Sequence, residues 1–163
     1  MALKPWVLRD ADPSGPAATA LLALAAREVW ALYDDPQALT RPTPQDPPLA
    51  PGAHHLLAWV DDEAVGGAGL RPLQDGVLEL RRVVVRPAWR GRGVADDLVR
   101  ALLHRARQAG AQAVWLETGE RQHAALRLYT RLGFRPIAPF AEHGSDPTSR
   151  CLGLRLAEGL SGP

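Results

Sequence analysis

The feature that most constrains the fold is RPAWRGRGVADDLVRALL, residues 86–103, where a strand-like sequence pattern ends and a helical pattern begins. The preceding GVLELRRVVV is rich in β-branched and apolar residues, as strands are, and it stops before Pro87. From Val94 to Ala106 the apolar residues recur at helical spacing. The stretch therefore predicts a strand, a short basic loop with two glycines and an amphipathic helix in direct succession.

A loop of this kind, between a strand and a helix, is suited to binding an anion. The first turn of the helix offers unpaired N–H groups and the positive end of its dipole. Gly91 and Gly93 have no Cβ and allow close backbone approach, while Arg90 and Arg92 add charge that can bind phosphate oxygens. The glycine spacing fits neither a nucleotide P-loop nor a dinucleotide fingerprint. Two interpretations stay open from these residues alone, a phosphate cradle and a purely structural turn.

Charge limits the classes of partner. The formal net charge is +1, with 19 basic residues against 18 acidic ones, whereas nucleic-acid binders usually carry a marked basic excess. A nucleic-acid binder that uses RGRG is therefore disfavoured. Asp96 and Asp97 would repel a diphosphate if they faced the loop, so the cradle requires them to point elsewhere.

The rest of the chain shows no repeat and no second composition block, so we expect one α+β domain over residues 1–163. Residues 34–52 carry six prolines and are expected to form an irregular loop. Short turns join the strand signals between residues 54 and 85, which indicates an antiparallel meander. Strands are predicted at 6–9, 54–60, 64–73, 76–85, 113–119 and 151–156, and helices at 17–33, 94–106 and 121–133.

Cysteine content and hydropathy indicate the compartment. Cys151 is the only cysteine, and we expect it to be a buried thiol rather than an acyl-carrying nucleophile. The first 15 residues lack a hydrophobic signal core, and no apolar run approaches the ~20 residues that span a bilayer. A cytoplasmic protein with no membrane partner is expected. The histidines have no metal-ligand spacing, so no metal is expected either.

Two motifs give the chain a family resemblance. Residues Arg90–Ala95 fill the pattern [QR]-x-x-G-x-[GA], and Ala125–Phe134 fill A-[IL]-x-L-Y-x-x-x-G-F. Their order and separation resemble those of the GNAT N-acetyltransferases, which bind acetyl-CoA through the first motif. The resemblance covers the whole chain, although residues 1–75 match only in pattern. It implies the GNAT acyl-CoA N-acyltransferase fold, a mixed, mostly antiparallel sheet that is splayed into a V and flanked by helices.

The resemblance also implies where acetyl-CoA, a cosubstrate here, would be bound. One strand would pair with its pantetheine arm, the loop amides would hold its pyrophosphate with help from the arginines, and Gln122 would stand where family members commonly have asparagine. The matching positions are Val83, Val84, Val85, Arg90, Gly91, Arg92, Gly93, Val94, Ala95, Gln122 and Tyr129.

For catalysis the resemblance implies two residues. Glu79 matches the strand position of the general base, although it could equally form an ion pair with Arg81, two residues along the same strand face. Tyr129 matches the general acid that protonates the departing thiolate, although it could be an aromatic core residue of an amphipathic helix. Trp30 and Tyr33 are candidate walls of the acceptor site, although they could equally be core packing residues, and the loop 140–150 is another candidate wall.

We therefore expect an enzyme that moves the acetyl group of acetyl-CoA directly to a primary amine of a small molecule or peptide. The alternative is a catalytically idle GNAT module that binds CoA as a sensor or interaction domain. The sequence leaves open the acceptor, a homodimer and the use of acyl groups other than acetyl.

Overall fold

The computed structural model describes residues 3–156, so residues 1–2 and 157–163 of the expected domain lie outside the described part. The helices are α1 (Pro16–Leu32), α2 (Val94–Gln108) and α3 (His123–Arg131). The strands are β1 (Val7–Asp10), β2 (His54–Val60), β3 (Glu63–Gln74), β4 (Val77–Val85), β5 (Ala113–Gly119), β6 (Arg135–Pro136) and β7 (Ser149–Arg155). Two 3₁₀ turns, Pro87–Trp89 and Ala141–Ser145, complete the regular structure.

The strands form one seven-stranded mixed sheet in the order β1-β2-β3-β4-β5-β7-β6. The predicted antiparallel meander is present, since each of β1, β2 and β3 pairs antiparallel with the next strand. The single parallel pairing joins β4 to β5, and α2 is the crossover that a parallel connection requires. The predicted α+β class and the predicted mixed, mostly antiparallel sheet are both confirmed.

Helices cover both faces of the sheet because alternate strand residues point to opposite sides. Leu56 and Leu80 pack in the cluster that contains the buried stripe of α2. The neighbouring Leu57 and the Val84 side chain pack instead against α1. Glu79 adjoins Leu80 on β4, so its side chain lies on the face that α1 covers.

The proline-rich segment 34–52 contains no helix or strand, as predicted. Six prolines remove backbone donors and fix φ, which prevents a long regular element. The segment is attached to the sheet through Asp46, whose carboxylate accepts two hydrogen bonds from Arg82 of β4, at 3.0 and 2.9 Å. Among residues 3–156, no helix combines the length and apolarity needed to cross a membrane.

Candidate active site

Strands β4 and β5 diverge along their length and leave an opening in the middle of the sheet. Their pairing covers only Val77–Glu79 with Ala113–Trp115, although β4 continues to Val85 and β5 to Gly119. Beyond Glu79 on β4 and Trp115 on β5, the facing edges of the two strands therefore do not pair with each other. Unpaired strand edges of this kind can pair with another chain or with a ligand.

A bulge distorts β4 beside the opening. Arg82 has φ 59°, and the register against β3 shifts so that two β4 residues oppose Ala68. Beyond the bulge, the Arg86 N–H bonds to Val65 of β3 at 2.8 Å. Because peptide groups alternate along a strand, the Val85 backbone points away from β3 and into the opening.

The glycine-rich loop at the end of β4 has the conformation that the cradle hypothesis requires. Gly91 and Gly93 have φ of 74° and 97°, a region that favours glycine, and a Cβ on either would meet no atom within 4 Å. Gly93 caps α2, and within residues 3–156 the N–H groups of positions 91–96 make no well-aligned hydrogen bond to a backbone acceptor. The loop thus presents several free amides to open space beside the positive end of a helix.

The two loop arginines occupy different environments. Arg90 binds the Val85 carbonyl at 2.9 Å and both carboxylate oxygens of Glu28 in α1, at 2.7 and 2.6 Å. Arg92 is exposed, and its guanidinium lies 4.8 Å from the ring centre of Trp89. Arg92 therefore has the more accessible charge of the two.

The acidic residues in the first turn of α2 are bound to donors on the flanks of the helix. Asp97 accepts hydrogen bonds from the Trp6 indole at 2.9 Å and from the Lys4 ammonium at 2.7 Å. Asp96 accepts one from Arg100, one turn along α2, at 2.6 Å. Neither carboxylate offers unpaired negative charge to the loop, so the objection that the sequence raised is removed.

Tyr129 lies on α3 and is 6% exposed, in edge-on contact with Phe134 at 5.8 Å between ring centres. Burial raises the pKa of its phenol well above the ordinary value, and the Glu117 carboxylate raises it further. No hydrogen bond to the hydroxyl occurs within residues 3–156, yet no fully buried polar side-chain atom lacks a partner there. The hydroxyl therefore reaches accessible space while the ring packs in the core.

Gln122 has a structural contact in the described chain. Its side-chain oxygen accepts the N–H of Gly119, the last residue of β5, at 2.7 Å. The hydroxyl of Tyr33, at the end of α1, lies over Gly119 and accepts the N–H of Arg121 at 3.0 Å. These contacts join α1 to the β5–α3 connection.

Glu79 is the centre of a charged cluster at the point where β4 and β5 separate. Its side chain is 3% exposed, and one oxygen accepts a 2.7 Å hydrogen bond from Arg71, the residue opposite on β3. The other oxygen lies 3.3 Å from Nε2 of His143. Arg81 is the more distant cation, at 3.8 Å, so the expected pairing within β4 is secondary to the Arg71 contact.

His143 extends this cluster from β4 to β5. Its Nδ1 lies 3.8 Å from Glu117 of β5, and its ring meets Phe140 edge-on at 5.0 Å. Sequence reasoning had named the loop 140–150 as an acceptor wall but had not selected His143 or Glu117. The only signal was the alternation of β5, which places Glu117 on the same face as Trp115 and hence as Glu79.

Among residues 3–156, no group of three or more His, Cys, Asp or Glu side chains is arranged to hold a metal ion.

Comparison with known proteins identifies the family. The sequence profile of the Acetyltransferase (GNAT) family matches residues 18–134, a range that contains both sequence motifs. The chain belongs to the GNAT acetyltransferase family. The resemblance inferred from the two motifs is confirmed.

Curated relatives agree with this assignment. The chain is 34% identical over 90 residues to an uncharacterised N-acetyltransferase of Escherichia coli, YjgM, covering 53% of this chain and 54% of the relative. It is 35% identical over 100 residues to the IAA acetyltransferase of Azospirillum brasilense, covering 61% of this chain and 65% of the relative. The matches thus span between about half and two thirds of each relative's length.

Solved structures extend the likeness over nearly the whole chain. A Klebsiella pneumoniae protein described as an acyl-CoA N-acyltransferase is 30% identical with a TM-score of 0.76, covering 93% of this chain and 97% of the other. A GNAT acetyltransferase of Elizabethkingia anophelis with acetyl-CoA bound has 21% identity and a TM-score of 0.66, covering 94% and 100%. At 21% identity, the similarity to the Elizabethkingia anophelis protein is a similarity of fold.

Proposed function

We propose that this protein transfers the acetyl group of acetyl-CoA to a primary amine, by direct attack within a ternary complex. The observation that carries the proposal is the divergence of β4 and β5 after Glu79, with a free-amide loop at one end and the Glu79–His143–Glu117 cluster at the other. A phosphate-bearing thioester and an amine can then approach each other through the same opening.

The loop residues are suited to hold the pyrophosphate of acetyl-CoA. The space beside Gly91 and Gly93 is open, and the free amides can donate to phosphate oxygens. Arg92 is available to add charge, whereas Arg90 is held by Glu28. The inner edge of Val83–Val85 would pair with the amide groups of the pantetheine arm. When bound, acetyl-CoA supplies the activated acetyl thioester.

The bulge at Arg82 supports a role for the β4 backbone in the chemistry. A bulge turns one peptide group out of the regular alternation, and such a group can donate to a carbonyl as its charge develops. The N–H groups of Val83 and Val85 are the candidates. This contribution comes from the backbone and leaves no mark in the sequence.

Glu79 and His143 together form the proposed proton acceptor. An alkyl amine with a pKa of about 10 is almost fully protonated at neutral pH, so attack requires that a proton be removed. The Glu79 carboxylate contacts the imidazole of His143, and both are groups that act as general bases in enzymes. A proton could pass from the amine to either group, directly or through water.

Tyr129 is the proposed acid. A phenol is protonated throughout the neutral range, so Tyr129 can donate a hydrogen bond to the departing thiolate as its charge develops; the burial that raises its pKa makes complete proton transfer harder. Its hydroxyl reaches accessible space, as a donor to a ligand must. Burial also raises the pKa of the Cys151 thiol, which disfavours a thiolate nucleophile and supports direct transfer.

A thermal-shift titration with CoA, followed by a thiol-release assay with acetyl-CoA and a panel of amines, tests this proposal. We expect CoA to raise the melting temperature and at least one amine to accelerate thiol release. Stabilisation by CoA without release on any amine would favour the idle module. If CoA also fails to stabilise the protein, the proposed site is wrong.

A further inference from the structure

The face of the sheet that carries Glu79 also carries three arginines, and they differ in how they are paired. Arg82 donates two hydrogen bonds to Asp46, and Arg71 donates one to Glu79. Arg81 lies between Glu79 and the bulge, and its nearest carboxylate oxygen is 3.8 Å away. That separation is too long for a hydrogen bond.

The Arg81 guanidinium is thus a cation with free donors. No hydrogen bond from it occurs within residues 3–156, and its side chain is 29% exposed. Since every fully buried polar side-chain atom of the described part has a partner, the free N–H groups of Arg81 reach accessible space. A guanidinium has five such donors in a planar fork that matches a carboxylate.

The surroundings of Arg81 favour the arrival of an anion. Burial, and then the charges of Arg82 and Arg71, lower the pKa of Arg81. A guanidinium does not lose its proton in proteins, so the unfavourable charge can be relieved only by a negative partner. The carboxylates of Glu79 and Asp46 relieve this charge only in part, because Glu79 is bound by Arg71 and His143 and Asp46 is bound by Arg82.

The opposite side of the same site suits an amine. Oε1 of Glu79 faces Arg71 and Arg81, while Oε2 faces His143, behind which lies Glu117. A ligand beside Glu79 therefore meets a guanidinium on one side, and an imidazole and a carboxylate on the other. A polycationic amine would be repelled by the unpaired Arg81 guanidinium, and a simple alkylamine would leave Arg81 unpaired.

We propose that the acceptor is a small amine with a carboxylate near its amino group, of the class of free amino acids, and that Arg81 binds that carboxylate. This assignment rests on the proposed acetyl transfer at the same opening. Arg81 would then be a specificity-determining residue, because it binds the carboxylate of the acceptor, which takes no part in the reaction. Arg82, the next residue along β4, is already paired with Asp46 and is not available for that carboxylate.

The test compares L-amino acids with their matched amides in the thiol-release assay. In the wild-type protein we expect kcat/KM to be at least about tenfold higher for the best amino acid than for its amide. Arg81→Gln should lower kcat/KM for the acid by about ten- to a hundredfold and leave the amide within about twofold. Arg107→Gln, at an exposed position of α2, is the matched control and should change neither.

A binding measurement keeps this proposal separate from the proposed function. Calorimetry with CoA present should show that N-acetyl amino acids bind more tightly than their amides, and that Arg81→Gln removes the difference. Equal use and equal binding of acids and amides would overturn the Arg81 assignment while acetyl transfer stands. If no amine releases thiol, the proposed function fails, and the calorimetric comparison alone decides the assignment.

Discussion

Replacing Gly91 or Gly93 with alanine should separate the stability of the loop from its ligand binding. Both glycines have positive φ, and a Cβ at either would meet no atom within 4 Å. In the free protein, backbone strain alone should then lower the free energy of unfolding, by roughly 1–2 kcal/mol for an L-residue with positive φ. For a domain of this size that corresponds to a fall in melting temperature of roughly 2–8 °C.

The effect on CoA binding should be larger. A methyl group would occupy the space through which a phosphate approaches the loop amides, so at least one charge-assisted hydrogen bond would be lost. Such a bond contributes about 1.5–3 kcal/mol, which corresponds to about a 10- to 100-fold weaker Kd. Calorimetric titration of CoA measures this change, and thermal unfolding of the free protein measures the strain.

The chain offers a matched control at the other end of α2. Gly110 has φ of 78°, close to the 74° of Gly91, and a Cβ there also meets no atom within 4 Å. Gly110→Ala should therefore cost similar stability and leave the CoA Kd unchanged. If Gly91→Ala and Gly110→Ala weaken CoA binding equally, or if neither loop variant weakens it, the cradle assignment is refuted.

Four further predictions follow from single residues. Tyr129→Phe should lower kcat by about a hundredfold or more with a CoA Kd within about twofold of wild type, and unchanged turnover would remove Tyr129 as the acid. Glu79→Gln should steepen the rise of rate with pH, whereas an unaltered pH–rate profile would contradict its role as base. His143→Gln should lower kcat for amines supplied below their own pKa and recover most of the rate at alkaline pH; equal loss at every pH would indicate a structural role. Burial lowers the pKa of His55, so the folded state holds it neutral and stability falls as pH drops below about 6.5; His55→Gln should flatten the fall in melting temperature between about pH 7 and 5, and exposed His104→Gln should not.

Local signals account for the parts of the fold that the sequence predicted. The apolar stripe of α2 and the two glycines before it determine the strand–loop–helix unit without reference to distant residues. The predicted bounds of β5 match the structure at both ends, because a buried alternating run ends at Gly119. The two-residue strand β6, which includes a proline, was not predicted because so short a run carries no periodicity.

The charged cluster depends on contacts between distant segments, and this is why sequence reasoning missed half of it. His143 lies on a short 3₁₀ turn that packs beside Glu79, 64 positions earlier in the chain. The bulge at Arg82 could not be predicted from the sequence either, because arginine is not a residue that favours positive φ. The hydrogen bond between Gln122 and Gly119 also depends on the fold. The sequence alone predicts a contact with CoA for Gln122, because of its position in a motif.

The most direct test of the proposed activity follows an isotopic label in the acetyl group of acetyl-CoA during reaction with the best acceptor of the amine panel. Direct transfer predicts that the label appears on the acceptor nitrogen, with one free CoA formed for each acetylated amine and no label on the protein. Label that stays on CoA, or that appears only as free acetate with every amine tried, would contradict the proposed acetyl transfer.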